Sequence, residues 1–136
     1  MKTLLTIVAV LLLDISIGLG VSFPAESSGV VQSVAGGGVT AKVTFLNPKS
    51  GDEPRFQIVL DTHSVNVDAY DLKSLASLRD DAGKAYASTG MENKGSGHHR
   101  EFTVSFAKVS PEAKRLELVI KDVAGVKERV FRWNVD

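Results

Sequence analysis

Polar and apolar residues alternate along most of the chain after residue 38. In Val39 to Leu46, Ala41, Val43 and Phe45 fall on one face and Lys42 and Thr44 on the other, the period of two that marks a half-buried strand. Arg55 to Asp61 repeats the pattern with Phe56, Ile58 and Leu60 on one side. Asp61, and His63 if the strand persists, share the opposite side. Glu101 to Ala107 places Phe102, Val104 and Phe106 inward, and Arg115 to Val123 does the same with Leu116, Leu118 and Ile120. Glu128 to Asp136 closes the chain, with Phe131, Trp133 and Val135 on one face and Val130 and Arg132 on the other.

Between these segments the signals are shorter. Asn47 to Pro54 is a loop punctuated by two prolines. Val65 to Leu78 is mixed and reads as a crossover with a helical turn near Asp71 to Leu75, then a strand over Ala76 to Arg79. Asp80-Asp81-Ala82-Gly83 is a hairpin turn followed by a short strand from Lys84 to Ala87. Ser88 to Gly97 is polar, glycine-rich and without period, and is expected to be a surface loop. Val109 to Lys114 and Ala124 to Lys127 are turns. Val30 to Val34 could form a short strand, turned into the next by Gly36-Gly37-Gly38. The expected fold class is all-β: an antiparallel, immunoglobulin-like β-sandwich of about seven strands, with Trp133 in its core.

The N-terminus follows another pattern. Lys2 precedes an apolar run from Leu4 to Leu13, and Gly18-Leu19-Gly20 supplies small residues for cleavage after Gly20. Residues 1–20 therefore read as a signal peptide, 21–38 as a tether that can hold a short edge strand, and 39–136 as the sandwich domain. The competing reading is an uncleaved anchor over Leu4 to Val21, which would put Asp14 in the bilayer at a cost of about 2.5–3.5 kcal/mol. Both readings place the domain outside the cytoplasm: periplasmic, on the cell surface or secreted. A membrane is a partner only if the leader stays uncleaved.

Composition narrows the function. The 16 basic residues balance 16 acidic ones, so no surplus charge exists to neutralise phosphates, and nucleic acid is not an expected partner. The absence of cysteine excludes disulfides, thiolate metal sites, a cysteine nucleophile and a lipid-modified cysteine. A mature part of roughly 115 residues suffices for one hydrophobic core.

The chemistry above background is the three histidines, which fall in Asp61-Thr62-His63-Ser64 and Gly97-His98-His99-Arg100. Imidazole suits copper and zinc, so His63, His98 and His99 form a candidate metal site, with Asp61 or Met91 as further ligands. Adjacent strand residues point to opposite faces, so His98 and His99 can share an ion only on an irregular backbone, which Gly95 and Gly97 permit. The structural alternative is a clasp: a histidine after a strand orders a loop, and Arg100 pairs with Asp61 or Asp71. Ser64 beside His63 is no catalytic triad, and neither GxSxG nor HExxH occurs. Asp68, Asp71, Asp80 and Asp81 lack the spacing of an EF-hand, and Gly36-Gly37-Gly38 lacks the Lys-Ser/Thr of a phosphate loop.

The segments Val43-Thr44-Phe45-Leu46-Asn47-Pro48, Leu60-Asp61-Thr62-His63-Ser64-Val65, Tyr70-Asp71-Leu72, Gly97-His98-His99-Arg100 and Asp122 to Arg129 resemble an uncharacterised family of exported bacterial and archaeal domains. The resemblance covers most of Val39 to Asp136 and implies an exported immunoglobulin-like sandwich. It carries no activity. Where that family would have a tryptophan before the histidines, this chain has Met91. The expected function is an exported, non-enzymatic binding domain that takes copper or zinc through its histidines. The alternative is a structural or adhesive module that meets a protein of the cell envelope, through a free sheet edge near Val30 to Val34 or an exposed apolar patch.

Overall fold

The computed structural model describes residues 30–135; the expected signal peptide, part of the tether and Asp136 lie outside that range. The strands are β1 (Val31–Gly36), β2 (Val39–Phe45), β3 (Arg55–Thr62), β4 (Ala76–Asp80), β5 (Ala85–Tyr86), β6 (Ser88–Ser96), β7 (His99–Phe106), β8 (Arg115–Val123) and β9 (Val126–Asn134). One helical turn, α1 (Leu72–Leu75), lies between β3 and β4. The described strands form two antiparallel sheets, one in the order β1-β2-β3-β7-β6 and the other β5-β4-β8-β9. The chain is thus an all-β sandwich, as the alternation predicts.

The apolar faces meet between the sheets. Ala41, Val43, Phe56, Ile58, Leu60, Phe102, Val104, Leu118, Ile120 and Phe131 are fully buried. Trp133 is a core residue: its ring lies 5.1 Å from Phe56 and 5.8 Å from Phe45 between centroids. Its Nε1–H donates to the Val30 carbonyl at 3.1 Å, so the indole pays no desolvation penalty for its polar atom.

Local chemistry fixes the turns. Asp71 caps α1 by accepting from the Lys73 amide at 3.1 Å and the Ser74 hydroxyl at 2.8 Å. Asp80 ends β4 with its carboxylate turned inward, accepting from the Ala82 and Lys84 amides and, at 2.8 Å, from the Tyr86 hydroxyl. Gly83 supplies the positive φ that closes this hairpin. The Tyr86 bond, with the two amides, holds the Asp80 carboxyl below its ordinary pKa. On the solvent face of the second sheet, Glu117 lies between Arg132 (2.8 Å) and Arg79 (2.6 Å) on the flanking strands, and these guanidiniums lower its pKa. Both carboxyls therefore stay ionised through the neutral range, and the stability they supply is lost only as pH falls through their lowered values.

One expectation is corrected. Of the expected loop Ser88 to Gly97, Ser88–Ser96 is a strand, β6, paired along its length with β7 apart from an irregularity between Ser88 and Gly90. It lacks an apolar period because it is an edge strand beside an open flank. Only Met91 reaches the core, and Glu92 to Ser96 are exposed. The edge near Val30 to Val34 is the outer strand β1, which has β2 on one side alone, and Gln32 bridges it to β9 by bonding both backbone groups of Arg132. The opposite edge of this sheet is β6.

Candidate site at the histidine end

Four connections meet at one end of the sandwich: the β1–β2 turn, the β3–α1 crossover, the β6–β7 turn and the β8–β9 turn. Three are two-residue hairpins. Gly37 and Gly38 have φ of 63° and 79°, and Ala124 and Gly125 have φ of 53° and 75°. Positive φ at both central positions is the type I′ pattern, whose twist matches the flanking strands. In Gly97-His98 only the glycine is left-handed, with φ of 72°, the type II′ pattern. The fourth connection turns at once after β3, because the Thr62 hydroxyl accepts from the amides of Ser64 (3.2 Å) and Val65 (3.0 Å).

Two buried arginines tie these connections together. Nη1 of Arg100 donates to the carbonyls of Val67 (2.8 Å), Asp68 (2.9 Å) and Tyr70 (3.3 Å), and its guanidinium lies over the Phe102 ring at 4.4 Å. Arg129 donates to the carbonyls of Val123 (2.8 Å) and Gly36 (2.6 Å), joining one sheet to the other. Burial pushes the Arg129 pKa down, since no carboxylate bonds to it. The Nε of each arginine has no hydrogen-bond partner, so the bonds to loop carbonyls carry the compensation for burying these charges. Tyr70 extends the network: its hydroxyl accepts from the Ala124 amide at 3.0 Å. Gly37 packs so closely on Ala124 that a Cβ there would lie 2.1 Å from the Ala124 carbonyl oxygen.

From the sequence, Arg100 is expected to pair with an aspartate and Arg129 has no expected role, yet strand parity marks both as inward-facing. Phe102, Val104 and Phe106 face inward, and two residues earlier the same face carries Arg100. Phe131 and Trp133 face inward, and two residues earlier stands Arg129. A charged residue on the apolar parity at a strand's end signals a loop-anchoring cation. Arg100 reaches carbonyls and approaches Asp68 (3.9 Å), rather than pairing with Asp61 or Asp71.

The histidines stand on this framework. The Asp61↔His99 register brings the His99 ring to Asp61, where Nδ1 meets Oδ1; both side chains are more than half exposed. His98 contributes its backbone, its carbonyl accepting from the Thr62 amide at 3.0 Å, and its ring is exposed. His63 is exposed at the start of the crossover. Met91 is not with them. It pairs with Val104, five positions along β7 from His99, or about 17 Å at strand rise, and its side chain packs on the core. Among the described residues, no group of three or more His, Cys, Asp or Glu side chains lies together as a metal site. The structure thus joins Asp61 with His99, keeps His63 and His98 at the same end, and sets Met91 apart.

The opposite end differs. The β2–β3 and β7–β8 loops frame a groove of about 310 Å³ over Phe45 and Leu116, rimmed by Pro48, Pro54 and Pro111. The chain enters the described region there. The Val30 carbonyl, held by Phe45 and Trp133, lies at the far end of β1 from Gly36 and the histidines. Among the described residues no helix is long and apolar enough to cross a membrane. No protein-family model, curated protein or solved structure matches this chain.

Proposed function

We propose that the chain is an exported, non-enzymatic, immunoglobulin-like binding domain of the cell envelope, and that its histidine end meets a protein partner. One observation carries the reading. The backbone of this end is held by internal bonds from Arg100, Arg129, Thr62 and Tyr70, while His63, His98 and His99 present their rings to solvent. A rigid framework that shows exposed, polar-tipped rings is the preorganisation a recognition surface needs. The direction of entry supports it as well. A leader or tether continues from the Val30 end, so an anchored domain would hold its histidines away from the membrane. Asp61 and His99 are too exposed for their pairing to stabilise the fold by more than about 1 kcal/mol, which leaves their polar groups available to a partner.

The second reading is a copper or zinc site through His63, His98 and His99 with Asp61. The His99–Asp61 contact favours it, because a carboxylate on one ring nitrogen orients the other toward a metal. Calorimetric titration with Cu(II) and Zn(II) separates the two. The partner reading predicts weak binding, with a Kd above about 10 µM. Alanine at all three histidines should leave the domain folded, with a stability loss of about 1 kcal/mol. One-to-one binding below about 1 µM that the triple variant loses would overturn the partner reading in favour of the metal.

A further inference from the structure

Strand β6 is one edge of the larger sheet, opposite β1, and its two ends are already occupied. Backbone bonding alternates along an antiparallel pair. The His98 carbonyl and the Phe106 amide bond toward β3, and the Ala107 amide bonds toward the β6 side, to the Ala87 carbonyl. Odd-numbered residues of β7 therefore bond β6, and their register partners Ser96, Lys94 and Glu92 bond β7 in return. Gly97, Gly95, Asn93 and Met91 direct their amides and carbonyls outward. At Gly97 the outward groups are used: its amide donates to Asp68 at 2.7 Å and its carbonyl accepts from Val67. At the other end, the Ser88 hydroxyl bonds the Lys73 carbonyl of α1. Between these contacts Met91 to Gly95 lies bare, about 17 Å of edge centred on Asn93, and no described strand flanks it.

Side chains in this span select an occupant. Glu92 and Lys94 stand on the solvent face of the sheet, on either side of Asn93. Two antiparallel copies of β6 related by a two-fold axis at Asn93 would set Glu92 opposite Lys94 of the second copy, twice. Outward-bonding residues then face each other: Asn93 its own counterpart, and Met91 the second copy's Gly95. The parity is correct for ladder bonds, and the charged pairs fall at the closer, non-hydrogen-bonded positions. A parallel, in-register pairing would instead oppose like charges. The span has no proline and no inward-facing charge, two devices that guard natural edges.

We propose that β6 is the interface for a second copy of this chain, joined edge to edge into a continuous ten-stranded sheet with Glu92 and Lys94 as reciprocal ion pairs. This goes beyond the histidine-end reading and is independent of it. The interface is isologous, so one charge reversal breaks both of its ion pairs.

Sedimentation equilibrium of the protein purified from cells expressing the full chain tests this, from about 5 µM to about 1 mM, because so short an edge makes a modest interface. Wild type should dimerise. Glu92→Lys and Lys94→Glu, both at exposed positions, should each weaken self-association at least tenfold. Mixed in equal amounts they should dimerise again, since the reversed charges are complementary between the two chains. A wild type that stays monomeric at the highest concentration overturns the proposal. So do single variants that dimerise like wild type, or a mixture that stays monomeric.

Discussion

Arg100→Ala is expected to lower the unfolding free energy by about 3–5 kcal/mol, the largest loss among the polar substitutions considered. Its side chain is only 7% exposed, and one nitrogen serves three carbonyls of the β3–α1 crossover. Alanine leaves the buried Val67 carbonyl with only the long bond from the Tyr70 amide at 3.4 Å, strips the cation from the Phe102 ring, and opens a void beside the inward face of β7. The carbonyls of Asp68 and Tyr70 are only partly buried, so water can replace the lost donor there, which holds the cost within this range. Arg100→Met keeps the stem packed on Phe102 and should recover part of the loss. Urea melts of the three proteins measure the differences. Amide exchange should accelerate first at Val67 and Tyr70, because the crossover is what Arg100 anchors. A change below about 1 kcal/mol for Arg100→Ala would show that the crossover holds itself.

Gly37→Ala is expected to cost about 3–4 kcal/mol, by a different mechanism. An alanine at φ of 63° pays about 1–2 kcal/mol in backbone strain alone. The larger part comes from the Ala124 carbonyl, which the new Cβ would approach to 2.1 Å. That atom is backbone in a tight turn, so the β1–β2 and β8–β9 turns must separate, disturbing the bonds of Arg129 and Tyr70 beside them. Gly125→Ala is the control. Its φ of 75° carries similar strain, but nothing lies within 4 Å of the Cβ position. Gly125→Ala should therefore lose only about 1–2 kcal/mol, and the difference isolates the contact between the turns. Equal losses for the two variants would mean that the turns move apart freely.

The sheets were legible where one face of a strand is buried and the other wet. Val39 to Phe45, Arg55 to Asp61 and Glu101 to Phe106 alternate because the sandwich requires it of central strands. β6 was not legible for the same reason: its inward positions beyond Met91 face an open flank, so no packing demand wrote an apolar period into them. The burial of Arg100 and Arg129 was hidden by residue type, since a charged side chain reads as solvent-facing until the parity of its neighbours is carried through it. The meeting of Asp61 with His99 depends on the register between strands far apart in the chain, set by the hydrophobic faces of both. The separation of Met91 from the histidines follows from β6 being extended. As a loop it could fold back on the turn; as a strand it holds the thioether about 17 Å away.

The most direct test of a recognition surface at the histidine end is photo-crosslinking in cells that naturally make the protein. A photoreactive residue is placed at His98 in the full chain and, as the control, at Gly51 in the loop at the opposite end. The account predicts one discrete adduct from position 98, none from position 51, and an adduct mass that identifies a different protein and is unchanged by Glu92→Lys. Adducts from position 51 alone, no adduct from either position, or an adduct at 98 containing only a second copy of this chain would contradict it.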